Sequence, residues 1–166
     1  MNMIEAVKSC FSNYFTLRGR ARRSEYWWFY LFTILLSLVT GFIDGILGLG
    51  TDDIGVLSTI AALVTFIPTI TAQVRRLHDT GRSGWWVGGA FIAALLIGLL
   101  VSVFALSSLG GVGSNTAPLG ILVIILGIGV LVYGVVMLIF LCQDSHPGDN
   151  VYGPSPKYDS GASVFD

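Results

Sequence analysis

Ala72–Trp86 reads AQVRRLHDTGRSGWW, and this stretch decides what kind of chain carries it. It is a polar segment set between long apolar runs. Arg75, Arg76, His78, Asp79 and Arg82 fall within eight residues, and the run closes on Trp85-Trp86. An arginine cluster followed by paired indoles is what a membrane–water interface selects, with cations on the headgroup side and amphipathic rings at headgroup level.

Composition agrees with that reading. Of 166 residues 54% are hydrophobic and 11% charged, and the mean hydropathy is +0.78. A soluble domain carries about 25% charged residues, so this chain lacks the charge to cover a water-facing surface. Working outward, apolar runs occupy about 26–48, 54–74, 85–107 and 119–141. Each is long enough for a hydrocarbon core that needs about 20 helical residues. The expected fold is an all-α membrane protein, a four-span transmembrane helix bundle forming a single membrane domain over 1–158. Residues 159–166, polar and turn-rich, are expected to be a disordered tail. Ahead of the first span, Ile4, Val7, Phe11, Tyr14 and Phe15 make one apolar stripe, which predicts a short N-terminal interfacial amphipathic helix. Pro68 falls inside the second span and frees a carbonyl that Thr65 or Thr69 could satisfy.

The nine Lys and Arg lie in the N-terminal flank, the central segment or the tail, whereas Asp44, Asp52 and Asp53 mark the first outer turn. The positive-inside rule therefore puts both termini and Ala72–Trp86 in the cytoplasm. Cys10 and Cys142 then face a reducing compartment and are expected as thiols. Small residues recur along three spans, at Thr33, Ser37, Gly41 and Gly45, at Ala90, Ala94, Gly98 and Ser102, and at Gly120, Gly127 and Gly134. Such stripes let backbones approach where lipid gives no hydrophobic reason to associate, and they predict a tight bundle. Arg23–Trp28 and Arg82–Trp86 also look alike, so an internal duplication about an axis along the membrane normal is one reading. Independent selection of Arg and Trp at two interfaces is the other.

Seven arginines are the candidate site: Arg18, Arg20, Arg22, Arg23, Arg75, Arg76 and Arg82. Four or five would suffice to set topology. The rest point to an anion or lipid phosphate in the same plane. The competing explanation is an internal ion-pair network with Glu25, Asp79 and Asp149, in which Glu25 and Asp79 pair with arginines from the other segment. Trp27, Trp28, Trp85 and Trp86 are read as the interfacial belt. His78, His146 and Cys142 were weighed as metal ligands, but no CxxC or HExxH spacing accompanies them, so no metal site is expected. Asp44 is either an intramembrane cation site or an interfacial helix end. There is no Walker loop, dinucleotide fingerprint or zinc-finger spacing, so neither a nucleotide cofactor nor nucleic acid is expected.

Gly19–Phe29 (GRARRSEYWWF), Arg75–Trp86 (RRLHDTGRSGWW) and Gly148–Pro156 (GDNVYGPSP) together resemble the hallmark blocks of the YhaH/YhaI-type bacterial inner-membrane proteins, a family built on a domain of unknown function. The resemblance covers about residues 10–157. It implies a small multi-pass protein of the bacterial cytoplasmic membrane and offers no catalytic residue to carry over. The function expected is non-enzymatic: an Arg/Trp-rich cytoplasmic face that binds anionic lipid or a partner protein, as scaffold or modulator. A homo-oligomer or a partner membrane protein fits that role. The alternative is a subunit of a small oligomeric transporter or channel, which would show a polar cavity at mid-depth.

Overall fold

The computed structural model describes residues 1–51, 54–109 and 117–157. Among them are five helices: α1 (Met3–Ser12), α2 (Arg23–Leu47), α3 (Val56–Asp79), α4 (Trp85–Leu109) and α5 (Ala117–Cys142). A two-residue antiparallel ribbon, β1 (Gly50–Thr51) with β2 (Ile54–Gly55), joins α2 to α3 in the register Gly50↔Gly55 and Thr51↔Ile54. Arg23–Leu47, Val56–Asp79, Trp85–Ser107 and Pro118–Cys142 are each long and apolar enough to cross a membrane. The chain is an all-α membrane protein with a short N-terminal helix. The expected disordered tail, residues 159–166, and residues 110–116 lie outside the described residues.

Met1–Gly84 with the tail from Gln143 forms one compact unit, and Trp85–Cys142 forms another. In the first, α1 opens with a reciprocal cap: Glu5 N donates to Asn2 Oδ1 at 2.9 Å and Asn2 N donates to Glu5 Oε2 at 3.0 Å. The helix does not bury the stripe the sequence suggested. Ala6 and Cys10 are its buried residues, while Ile4 is 65% exposed and Phe15 78%. Small side chains let α1 lie close against α2 and α3, with the Phe11 ring edge-on to Phe29 at 6.0 Å, and the larger apolar groups are left facing outward. For a helix in the headgroup layer that outward face meets acyl chains.

α3 continues as helix through Pro68. Proline has no N–H for the carbonyl four residues back, which here is Val64 O. Tyr14 Oη donates to that carbonyl at 2.9 Å. The two threonines that seemed able to fill this role bond elsewhere, Thr65 Oγ1 to Ala61 O and Thr69 Oγ1 to Thr65 O.

The other end of α3 is capped from α2. Its N-cap, Gly55, has no side chain, and Asp44 accepts from Leu57 N at 2.9 Å, Ser58 N at 2.8 Å and Ser58 Oγ at 2.8 Å. Asp44 is thus an interfacial helix cap. A Cβ on Gly55 would stand 2.1 Å from Asp44 Oδ2, so this close approach requires glycine.

Most glycines of the small-residue stripes face open space within their own unit. A Cβ at Gly41, Gly45, Gly98, Gly127 or Gly134 would find no atom within 4 Å. In the second unit α4 and α5 touch at Gly89, where a Cβ would lie 2.9 Å from Tyr133 Oη, and at Gly120, 3.3 Å from the Phe104 ring. Tyr133 donates to Trp86 O, and the Trp86 ring packs on Tyr133 and edge-on to Phe140. Aromatic side chains laid over single glycines close this pair, and of the seven-residue repeat only Gly120 takes part among the glycines described.

Candidate functional site

The arginine-rich end of the first unit is where sequence blocks far apart in the chain converge. α3 ends in a Schellman turn: Gly81 takes a left-handed φ of 76°, Gly81 N donates to His78 O at 3.0 Å, and Arg82 N donates to Leu77 O at 2.9 Å. Because backbone groups close the turn, the Asp79 carboxylate is released from that task and points inward.

Asp79 is fully buried and holds two guanidiniums, Arg20 Nε at 3.0 Å on Oδ1 and Arg76 on Oδ2. Arg20 spends its remaining donors on carbonyls: Nη1 reaches Gly148 O at 2.7 Å and Gly153 O at 3.3 Å, and Nη2 reaches His146 O at 2.8 Å and Asp79 O at 3.3 Å. Arg76 also donates to Gln143 O. The tail answers with His146 N on Asp79 O at 3.1 Å and Asn150 Nδ2 on His78 O at 2.9 Å. The His78 ring stacks on Tyr152 at 3.8 Å and 2°, with Nδ1 at 3.3 Å from Gly19 O. Ala21 N donates to Arg75 O at 3.0 Å and ties the N-terminal block to α3.

A second pair lies under α1. Glu25 Oε1 is 3.0 Å from Arg75 Nη1, accepts from Ser9 Oγ at 2.9 Å, and has the Cys10 thiol 4.0 Å away. Arg75 Nε and Nη2 are buried with no hydrogen-bond partner among the described residues. Burial pushes the Cys10 thiol up to about 12, with the Glu25 charge adding to the rise and Arg75 opposing it.

The seven candidate arginines therefore divide. Arg20, Arg75 and Arg76 are buried against Asp79 and Glu25. Arg18, Arg22 and Arg23 are exposed, and half-buried Arg82 reaches Thr80 O at 3.4 Å. Asp149, expected as an ion-pair partner, instead takes Ser155 N at 3.4 Å, and no guanidinium pairs with it among the described residues. The tail is pinned through its carbonyls, so Asp149 is turned into its own bend. Asp144 pairs with Lys157 at 2.5 Å, and that hydrogen bond with the one from Ser145 N holds its carboxyl below the ordinary range. Trp27 packs edge-on to Tyr26 and Tyr30, and Trp28 is 39% exposed; Trp85 and Trp86 open α4 in the other unit.

Of the weighed ligands in this unit, the His78 ring faces Tyr152 and His146 serves through its backbone. Among the described residues no group of three His, Cys, Asp or Glu could hold a metal ion. Ser9 and Tyr14 act as hydroxyl donors through irregular contacts that no sequence period reveals; in the sequence Tyr14 reads only as part of an apolar stripe. The sequence did flag Asn150 and Tyr152, inside the GDNVYGPSP block, without suggesting what they touch.

Comparison with known proteins follows the same blocks. The family model described as "Protein of unknown function (DUF805)" matches residues 14–154. Inner membrane protein YhaH of Escherichia coli K12 is 35% identical over 148 residues, covering 87% of this chain and 90% of that protein. Inner membrane protein YhaI of the same strain is 32% identical over 152 residues, covering 92% and 95%. No solved structure matches.

Proposed function

The chain belongs to this family of inner-membrane proteins of unknown function (DUF805), and from that premise we propose that it is a non-enzymatic protein whose arginine end faces the cytoplasm and binds anionic lipid. The observation that carries the proposal is the division of the arginines. Three are consumed by buried carboxylates and carbonyls, which removes Asp79 and Glu25 as counter-ions for the others. Arg18, Arg22 and Arg23 stay exposed beside Trp27 and Trp28 at the start of a spanning helix. A basic rim at headgroup level attracts anionic lipid by about 1 kcal/mol per residue. The charge is held in place by the ion-pair core rather than by a flexible basic tail, so it acts as a scaffold for the leaflet or for a partner that carries acidic groups.

The test is lipid retention on purification. Mass spectrometry of the protein released from mild detergent should show phosphatidylglycerol enriched over phosphatidylethanolamine relative to the source membrane. Arg18→Gln/Arg22→Gln/Arg23→Gln should abolish the enrichment. Equal retention of both lipids by the unmodified chain would refute the reading.

A further inference from the structure

One face of the first turns of α2 is a groove of about 370 Å³ lined by Arg23, Ser24, Trp27, Trp28 and Leu31. These positions follow the helical repeat, so they share a face, and Leu31 lies about 12 Å from Arg23 along the axis at 1.5 Å per residue. The lining is graded along that distance: a guanidinium and a hydroxyl, then two indoles, then an aliphatic side chain. The residue before α2, Arg22, makes no side-chain cap.

Charge and polarity select the occupant. A free anion would use Arg23 and Ser24 and leave the indoles idle, whereas a packed helix would bury the guanidinium against apolar surface at a cost. An anionic phospholipid carries a negative end and a hydrocarbon end in this order, and α2, as a spanning helix, is surrounded by phospholipid. We infer that this groove binds one anionic glycerophospholipid, its phosphate at Arg23 and Ser24 and its glycerol and upper acyl chain along Trp27, Trp28 and Leu31. The inference rests on the reading of the arginine end as lipid-binding and adds a defined site to it.

The experiment uses the full chain with Trp85→Phe/Trp86→Phe, which leaves Trp27 and Trp28 as the emitters. It is reconstituted in phosphatidylcholine vesicles containing brominated phosphatidylglycerol or, at equal mole fraction, brominated phosphatidylcholine. Quenching should favour phosphatidylglycerol, and Arg23→Gln/Ser24→Ala should lower that preference about tenfold or more, as expected for a lost charge-assisted hydrogen bond. Arg18→Gln/Arg22→Gln should lower it less, because these side chains add charge to the rim and do not line the groove. No preference in the parent protein overturns the lipid-binding reading of this whole end. A preference removed by Arg18→Gln/Arg22→Gln and untouched by Arg23→Gln/Ser24→Ala overturns the groove alone. Release of the quenching by inorganic phosphate makes the site one for free anions, and absence of quenching by either lipid means protein covers it; both overturn the inference. Where the tryptophan replacements disturb the protein, bound-lipid mass spectrometry on the chain with all four tryptophans makes the same comparison.

Discussion

Asp79→Asn tests the ion-pair core with almost no change in shape. The side chain is fully buried, with Arg20 Nε at 3.0 Å and Arg76 on the other oxygen. An amide can accept from one guanidinium, but its NH2 then faces the other, and two buried positive charges lose their shared counter-ion. Arg20 keeps four carbonyl contacts, on Gly148, Gly153, His146 and Asp79 itself, and Arg76 keeps its bond to Gln143 O, so the loss is that of the shared carboxylate. Removing one partner of a buried pair costs about 3–5 kcal/mol. At about 2–4 °C per kcal/mol for a chain of this size, the midpoint should fall by roughly 6–20 °C.

Asp144→Asn is the matched control. Its pair with Lys157 is 58% and 40% exposed, and exposed pairs contribute about 0–1 kcal/mol. Thermal unfolding in mild detergent, read by tryptophan fluorescence and by loss of the monodisperse peak, compares the two. A cycle with Arg20→Gln then isolates the contact, with a coupling of about 0.5–3 kcal/mol if the residues touch. Equal midpoints for Asp79→Asn and Asp144→Asn would refute the buried network.

Tyr14→Phe should cost about 1–3 kcal/mol by leaving Val64 O unsatisfied, and the same change should cost far less in Pro68→Ala, where the new N–H takes that carbonyl; equal costs in both backgrounds would disprove the contact. Asp44→Ala should cost about 0.5–2 kcal/mol as a lost helix cap and speed hydrogen exchange at Leu57 and Ser58, and Gly55→Ala should do at least as much through its overlap with the Asp44 carboxylate. Cys10 should resist maleimide at neutral pH while exposed Cys142 reacts; its thiol ionises near 9.0 when unfolded and near 12 when folded, so the folded state should lose stability as pH rises through that window, an effect absent in Cys10→Ala. In a background lacking both cysteines, Leu49→Cys should react with an impermeant reagent on intact cells and Ser83→Cys should not; the reverse pattern would invert the proposed orientation.

The spans were legible because hydropathy needs only long apolar runs, and lipid imposes them. Their ends were less so. α2 begins at Arg23 and α3 runs to Asp79, five residues past the apolar run, because Arg75, Arg76 and Asp79 find partners within the protein and the helix need not stop where the lipid does. The small-residue stripes were ambiguous for a related reason. Against acyl chains a glycine or serine facing outward costs little, so the pattern at Gly41, Gly45 and Gly98 does not distinguish a packed face from a lipid face. The carboxylates were visible as candidates, yet which arginine meets which was not, since Thr16–Arg22 is irregular and has no period from which to read a face.

That irregular segment is also why arginine, and not merely positive charge, stands at position 20. Lipid gives helices no hydrophobic drive to associate, so joining Gly19–Phe29, Arg75–Trp86 and Gly148–Pro156 requires directed bonds. Arg20 uses all three guanidinium nitrogens on five acceptors drawn from two of those blocks and the tail segment before the third. A lysine would bring the same charge on a single nitrogen with three donors and no planar fork. Its flanking arginines, Arg18 and Arg22, are exposed; in an extended segment residues two apart would share a face, and Gly19 at a left-handed φ of 85° breaks that pattern beside Arg20. One short stretch thereby supplies both the bond that closes the core and the exposed charge on which the lipid-binding proposal rests.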